Sequence, residues 1–243
     1  MKRFLLILSM VAIFWPMQAQ AYIDDYDALL RDYVKPTKRG GITFNGVDYD
    51  SWTTDLRHSR AMDSLEKTQL STLRTKKERL AFWINAYNLL TIDLIVGQGE
   101  RDSIKNLGFL FRSPWVRYNW KIDGKLYTLD EIEHDIIRKI GEPRIHFAVN
   151  CAAISCRDLR NEAYRADSLD SQLRDQQERI FDNKTKGLRK DGNTIYATKV
   201  MDWYEEDFSK GNPLKYLRKH APSRVGEADD LRFFRYDWSL NKL

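Results

Sequence analysis

Two cysteines five residues apart, with a histidine just upstream, are the groups in this sequence best suited to chemistry. The run Arg144-Ile-His-Phe-Ala-Val-Asn-Cys-Ala-Ala-Ile-Ser-Cys156 holds both cysteines of the chain and one of its four histidines. A cysteine that enters a turn or a helix N-terminus has backbone N–H groups to stabilise its thiolate, which makes Cys151 the candidate nucleophile for acyl transfer or hydrolysis. His146 is the obvious base. The alternation of Ile145, Phe147 and Val149 against His146, Ala148 and Asn150 predicts a strand over 144–150. On such a strand His146 and Cys151 lie roughly 16 Å apart, too far for a dyad, so His146 is expected to meet Glu78 or Asn85 instead.

The same cysteines admit other readings. A Cys151–Cys156 disulfide or redox pair requires a turn between them, because residues five apart in a helix are about 8 Å from each other and a disulfide spans at most about 7 Å between Cα atoms. Inert buried thiols are a third reading. A metal site with His146 lacks a fourth ligand and the usual spacings. Neither a metal nor a cofactor is expected.

The elements that must position these groups follow from periodicity. Residues 76–96 form the longest predicted helix, apolar nearly all round and stopped by Gly97, which makes it the buried central helix. At 100° per residue Glu78, Ala81, Asn85 and Asn88 share one stripe of it. Buried amides and carboxylates cost several kcal/mol when unpaired, so this stripe either knits the fold together or faces a cleft. Thr128-Leu-Asp-Glu131 opens another helix as a capping box, with Leu129, Ile132, Ile136 and Ile140 as its buried side. Glu133 falls on that apolar side and is expected to pair with Arg144 or to serve the helix dipole. His134 points away from it, towards solvent.

Around these lie a helix over 22–33 and a hairpin of Ile42–Phe44 and Val47–Tyr49 about Asn45-Gly46. Helices are predicted over 51–62 and 64–72, and a second hairpin runs from Trp115 to Thr128 about Asp123-Gly124. A helix over 168–181, a polar loop over 182–193, a strand over 194–198, helices over 201–208 and 213–220, and a strand over 231–238 complete the chain. Helices interleaved with hairpins predict an α+β domain, with the central helix packed with other helices against a small antiparallel sheet.

The chain opens with Met1-Lys2-Arg3, an apolar run from Phe4 to Trp15 and the small-residue end Met17-Gln-Ala-Gln-Ala21. This is the layout of a cleavable signal peptide, residues 1–21, leaving one globular domain over 22–243 in the periplasm or outside the cell. An apolar run this short falls below the roughly 20 residues of a spanning helix, so no membrane anchor is expected after cleavage. Loss of Lys2 and Arg3 takes the 40 basic residues to 38 against 35 acids. A charge so balanced and interspersed argues against nucleic acid as a partner and leaves a small molecule or another protein.

The chain resembles a family known as domain of unknown function 547. The stretches that carry the resemblance are Lys77–Asn88, Leu129–His134, Pro143–Cys156, Trp203–Phe208 and Tyr236–Asn241. The resemblance implies that Glu78, Asn85, Asn88, Glu133, His146, Cys151 and Cys156 belong to one shared pattern, and it brings no established activity. Arg157 is a departure, since the family usually has Pro after the second Cys. By analogy the Glu, Asn, His and Cys content suggests a papain-like or transglutaminase-like thiol site. The rival expectation is a non-catalytic binding or structural domain of the envelope with a Cys151–Cys156 disulfide.

Overall fold

The computed structural model describes residues 17–243, with side chains from Tyr22 onward. The charged start and apolar run of the expected leader lie outside the described residues. Helix α1 (Met17–Tyr33) buries Tyr22, Tyr26, Leu29 and Leu30, the face its periodicity defines. The first hairpin differs from expectation. Strand β1 (Val34–Arg39) pairs antiparallel with β2 (Ile42–Val47) about Gly40-Gly41, which adopt φ values of 57° and 84°. Adjacent glycines supply the positive φ values of a two-residue turn, so Asn45-Gly46 is left inside β2. There Gly46 permits a close approach: a Cβ would stand 2.7 Å from the Leu243 side chain.

Asp48 caps α2 (Tyr49–Thr54) and Asp55 caps α3 (Leu56–Glu66), so the chain breaks at Asp55 and not near Asp63. Helix α4 (Lys76–Gln98) follows, and every residue from Leu80 to Ile92 is buried. By length and composition alone α4 could cross a membrane, yet 83% of its most apolar stretch is buried inside the domain. It ends at Gly99, at φ 63°, two residues beyond the predicted stop.

Pro114 starts the one-turn helix α5 (Pro114–Arg117), which takes Trp115 and Val116 out of the predicted strand. Only β3 (Asn119–Ile122) and β4 (Lys125–Thr128) pair, about Asp123-Gly124. The Thr128–Glu131 capping box forms, and the chain then makes a wide π-helical turn over Glu131–Ile137. That turn carries Glu133 and Ile137 inward with Leu129 and Ile132, leaving Ile136 and Ile140 half-buried.

The strand predicted over 144–150 does not form. Pro143 opens a 3-10 helix through Phe147, capped by the Glu142 carboxylate. Proline fixes a helical φ and lacks the N–H that a paired strand needs. Ile145, His146 and Phe147 are all buried, so the alternation in sequence marks no sheet face. From Ala148 to Arg157 the backbone is neither helix nor strand, and every residue in it is buried.

Helix α6 (Leu169–Asp182) leads into the polar segment, which is not all loop: it contains β5 (Leu188–Asp191), paired antiparallel with β6 (Thr194–Ala197). Next come α7 (Val200–Trp203), a 3-10 turn over Glu205–Asp207, α8 (Pro213–His220) and α9 (Pro222–Val225). Strand β7 (Asp230–Phe233) joins β6 in parallel. It is shorter than predicted because the chain beyond it bonds to the cysteine turn instead. Ile154 N–H donates to the Ser239 carbonyl, Asn241 N–H to the Ala152 carbonyl, and Asp237 N–H to the Ser155 hydroxyl. The whole is an α+β domain in which α4 is the buried centre and small, mainly antiparallel sheets cover the helices.

One turn supports the cysteine segment from below. Between α6 and β5, Gly187 packs so closely on the end of α6 that a Cβ would lie 1.6 Å from the Ile180 carbonyl oxygen. This closeness places Lys186, 2% exposed, where its ammonium donates to the carbonyls of Ile154 (3.0 Å) and Cys156 (2.6 Å) and to Asp158 (2.6 Å). Gly187→Ala must therefore displace backbone, and a loss of at least about 2 kcal/mol in urea unfolding is expected. An unchanged unfolding midpoint would contradict the packing described.

Candidate active site

The chain between the cysteines is a turn, with Ala152 in the left-handed region at φ 59°. Helix α4 anchors the chain leading into it and the chain well beyond it. Asn88 donates to the Ala148 carbonyl (3.0 Å) and accepts from Asn150 N–H (2.7 Å), while Asn85 donates to the Tyr164 carbonyl (2.7 Å) and accepts from Tyr164 N–H (2.9 Å). The Asn150 amide in turn reaches the Arg157 carbonyl and accepts from Ala152 N–H. These amides hold backbone in place. They are supporting residues and not members of a reacting set.

The turn brings Cys151 Sγ and Cys156 Sγ to 2.8 Å as free thiols. Cys156 Sγ also accepts from Cys151 N–H at 3.1 Å, and Cys151 Sγ lies 3.0 Å from the Tyr236 hydroxyl. Cys151 faces an open cleft of about 280 Å³; Cys156 sits behind it. Three tryptophans form one wall, with Trp238 stacked on Trp203 (5.7 Å) and edge-on to Trp115 (5.8 Å). The lining also includes Asp130, Glu133, His134 and Tyr204.

Arg157 is the residue the sequence signalled only as a departure from pattern, and it is the buried cation of the site, 4% exposed. Its Nε donates to the Val149 carbonyl. Burial raises both thiols, but Cys156 gains the Cys151 S–H, the Arg157 guanidinium and the Cys151 N–H as stabilisers of its anion, and these bring it down to about 6. Cys151 is pushed up, by burial and then by its bond to Cys156. The pair therefore holds one proton and one negative charge near neutral pH, with the charge on the inner sulfur. Glu133 responds to the same cation. Burial acts to raise it, and Arg157 with the hydroxyls of Tyr204 (2.7 Å) and Tyr87 outweighs that and keeps it ionised.

Histidine 146 is placed elsewhere than expected. It meets neither Glu78 nor Asn85; its Nε2 lies 2.7 Å from Asp207 Oδ2, and its ring stacks on Tyr204 at 4.3 Å. No sulfur is bonded to it, so it is not the base of Cys151. It acts at one remove, fixing the ring whose hydroxyl grips Glu133. Arg138 reinforces this by donating to Asp207 (2.8 Å) and lying over the same ring. Glu78 is outside the cleft altogether. Its carboxylate accepts from Thr75 N–H (2.7 Å) as the N-terminal cap of α4, a role its position three residues after Thr75 encodes. Arg144 pairs with Glu142 and Asp170, not with Glu133. His134 borders the cleft half-exposed, with Nδ1 3.0 Å from Arg138.

Sequence reasoning passed over Arg157, Tyr87, Tyr204, Asp207 and Tyr236 as site residues. Tyr204, Asp207 and Tyr236 lie in two of the stretches that carried the family resemblance, which was the available signal. Among the described residues no cluster of three metal-ligating side chains comes together.

The site defines an α+β domain with a paired thiol on the floor of an aromatic cleft. Residues 70–180 match the model of a family described as protein of unknown function, DUF547, and this supports the resemblance read from the sequence. The match includes α4 and both cysteines, and it stops short of Tyr204, Asp207 and the C-terminal tail. No curated protein and no solved structure matches the chain.

Two outcomes follow from the electrostatics. Thiolate absorbance should rise by one equivalent with a midpoint near pH 6, and Cys156→Ser should abolish that step; a first thiolate appearing only at alkaline pH would remove the shared-proton arrangement. His146 is lowered from 6.5 to about 4, chiefly by burial against the opposing bond to Asp207. The unfolded chain then binds the proton first, so this contribution is complete above pH 6.5 and is lost as pH falls towards 4. Between pH 7 and 4.5 it amounts to about 2 to 3 kcal/mol. Denaturant unfolding of wild type and His146→Asn at both pH values should show a smaller acid loss in the variant.

Proposed function

We propose that the cleft performs thiol–disulfide exchange, with Cys151 meeting the substrate and Cys156 acting first as its base and then as the resolving sulfur. The observation that carries this is the 2.8 Å contact between the two sulfurs, one facing an open cleft and the other behind it. Proton transfer from Cys151 to the Cys156 thiolate leaves Cys151 as the attacking anion. Its sulfur bonds to one sulfur of a substrate disulfide, and the other leaves and takes a proton from solvent. Cys156 then gives its proton to the second leaving sulfur as it bonds to Cys151. The protein dithiol is oxidised, the substrate disulfide is reduced to two thiols, and the reverse sequence oxidises a substrate dithiol.

Acyl transfer at Cys151 is the second reading, favoured by the donors of Arg157 and Tyr204 in the same cleft. Among the described residues the sulfur is bonded to Cys156 and Tyr236 and to no histidine, and His134 borders the cleft bonded to Arg138. Export through the N-terminal leader is part of the proposal, since a dithiol couple of this kind finds disulfide partners outside the cytoplasm.

The test uses protein recovered from the envelope fraction of an expressing cell, measured by intact mass after exposure to glutathione disulfide. Wild type should begin at Tyr22 and lose two hydrogens to form the internal disulfide. Cys156→Ser, which has lost the base, should instead accumulate one glutathione on Cys151 once the pH is raised enough to ionise that thiol, and Cys151→Ser should hold far less under the same conditions. Wild type that stays fully reduced, together with a Cys156→Ser variant that traps no glutathione, would sink the exchange reading. Acetylation of Cys151 by an activated ester with no exchange would move the assignment to acyl transfer.

A further inference from the structure

We propose that the loop Phe109–Phe111 docks the protein on an anionic phospholipid bilayer. These are three consecutive large apolar residues at 62%, 81% and 103% exposure, on a domain whose other apolar residues are mostly buried. Isolated exposed leucines are ordinary, whereas three adjacent ones at the tip of a turn form a projecting apolar patch. The tip is held in shape. Phe109 N–H donates to the Arg112 carbonyl and Arg112 N–H to the Phe109 carbonyl, both at 3.0 Å, and Leu110 is kept at φ 52°. A leucine in the left-handed region is strained, so this conformation persists only because the pairing on either side imposes it. Beneath the tip, buried Ile104 and Leu107 root the loop in the core.

Charge decides what covers the tip. Every charged residue from Ser103 to Arg117 is basic, and Lys105, Arg112 and Arg117 flank the three apolar residues, with Lys105 over the Trp238 ring at 5.4 Å and Arg112 donating to the Val116 carbonyl. Arg117 lies over the Phe109 ring at 5.4 Å, and Lys105 and Arg112 are exposed. An apolar tip inserted among acyl chains, with long cationic side chains reaching back to phosphates at its base, is the arrangement by which a soluble domain holds to an anionic membrane surface. A protein groove would need no such uniform sign of charge. Ser113 and Trp115, just beyond the tip, border the thiol cleft, so docking sets the cleft mouth near the lipid surface. The inference does not depend on what the thiols do.

The experiment is hydrogen exchange on the full chain with and without phosphatidylglycerol vesicles, which reads the loop separately from any other lipid contact. Exchange across residues 107–113 should slow with these vesicles and much less with phosphatidylcholine. The triple variant Phe109→Ser, Leu110→Ser, Phe111→Ser should lose that protection, with its vesicle partitioning reduced roughly tenfold or more and its unfolding midpoint unchanged. Lys105→Glu with Arg112→Glu should weaken binding to phosphatidylglycerol alone. The proposal is overturned if the loop gains no protection, if the triple variant is protected as wild type is, or if both lipids protect equally. Protection that rises with protein concentration in the absence of lipid would assign the loop to a second copy of the chain instead.

Discussion

A buried stretch of backbone with no helix or strand to satisfy it, Ala148 to Arg157, is the constraint around which the rest of the structure is arranged. Buried N–H and C=O groups left unpaired cost about 1 to 3 kcal/mol each, and the regular pairing this stretch has is a single antiparallel bridge from Ala153 to Leu240 and two bonds back to Ile145. Its partners come from every direction. Asn88 supplies both faces of an amide from α4, Lys186 reaches up from the turn after α6, and the C-terminal tail lies alongside. The otherwise apolar α4 carries Asn88 for this reason, and a lysine can be almost fully buried because three oxygens meet its three protons.

Irregular backbone here serves the thiols. A helix would hold Cys151 and Cys156 apart, and a strand would send their side chains to opposite faces. The turn instead puts one sulfur on the other and leaves Arg157 as the next residue, its charge beside both. Arg157 and Glu133 then form the buried framework of opposite charges in which a thiolate is tolerated. Truncating either partner of such a set leaves the other uncompensated, so the site's electrostatics stand or fall together.

How much of this the sequence discloses depends on whether the cause is local. The central helix is legible because a residue run apolar on all sides has only one place to go, and its polar stripe is legible as one that needs partners, either within the fold or in a cleft; Asn85 and Asn88 find theirs within the fold. Capping of α4 by Glu78 is equally local, since Thr75 and Glu78 stand three residues apart at the helix start. The predicted strand over 144–150 failed because six alternating residues carry less information than the single Pro143 that precedes them. Residue pairs far apart in sequence were out of reach. His146 and Asp207 are separated by 61 residues and Tyr204 and Glu133 by 71, and no periodicity links them. The tail beyond Phe233 has no repeating pattern at all, since its bonds go to the edges of an irregular turn.

That tail has a consequence in time as well as in space. Tyr236, Trp238 and Asn241 are made after the other residues that pack on the cysteine turn: Tyr236 meets Cys151, Asn241 bonds to the Ala152 carbonyl and Trp238 lines the cleft. While the chain emerges in order, the two thiols exist before their lid does. For that interval Cys151 lacks the Tyr236 hydroxyl and the Trp238 ring that pack on it in the folded domain.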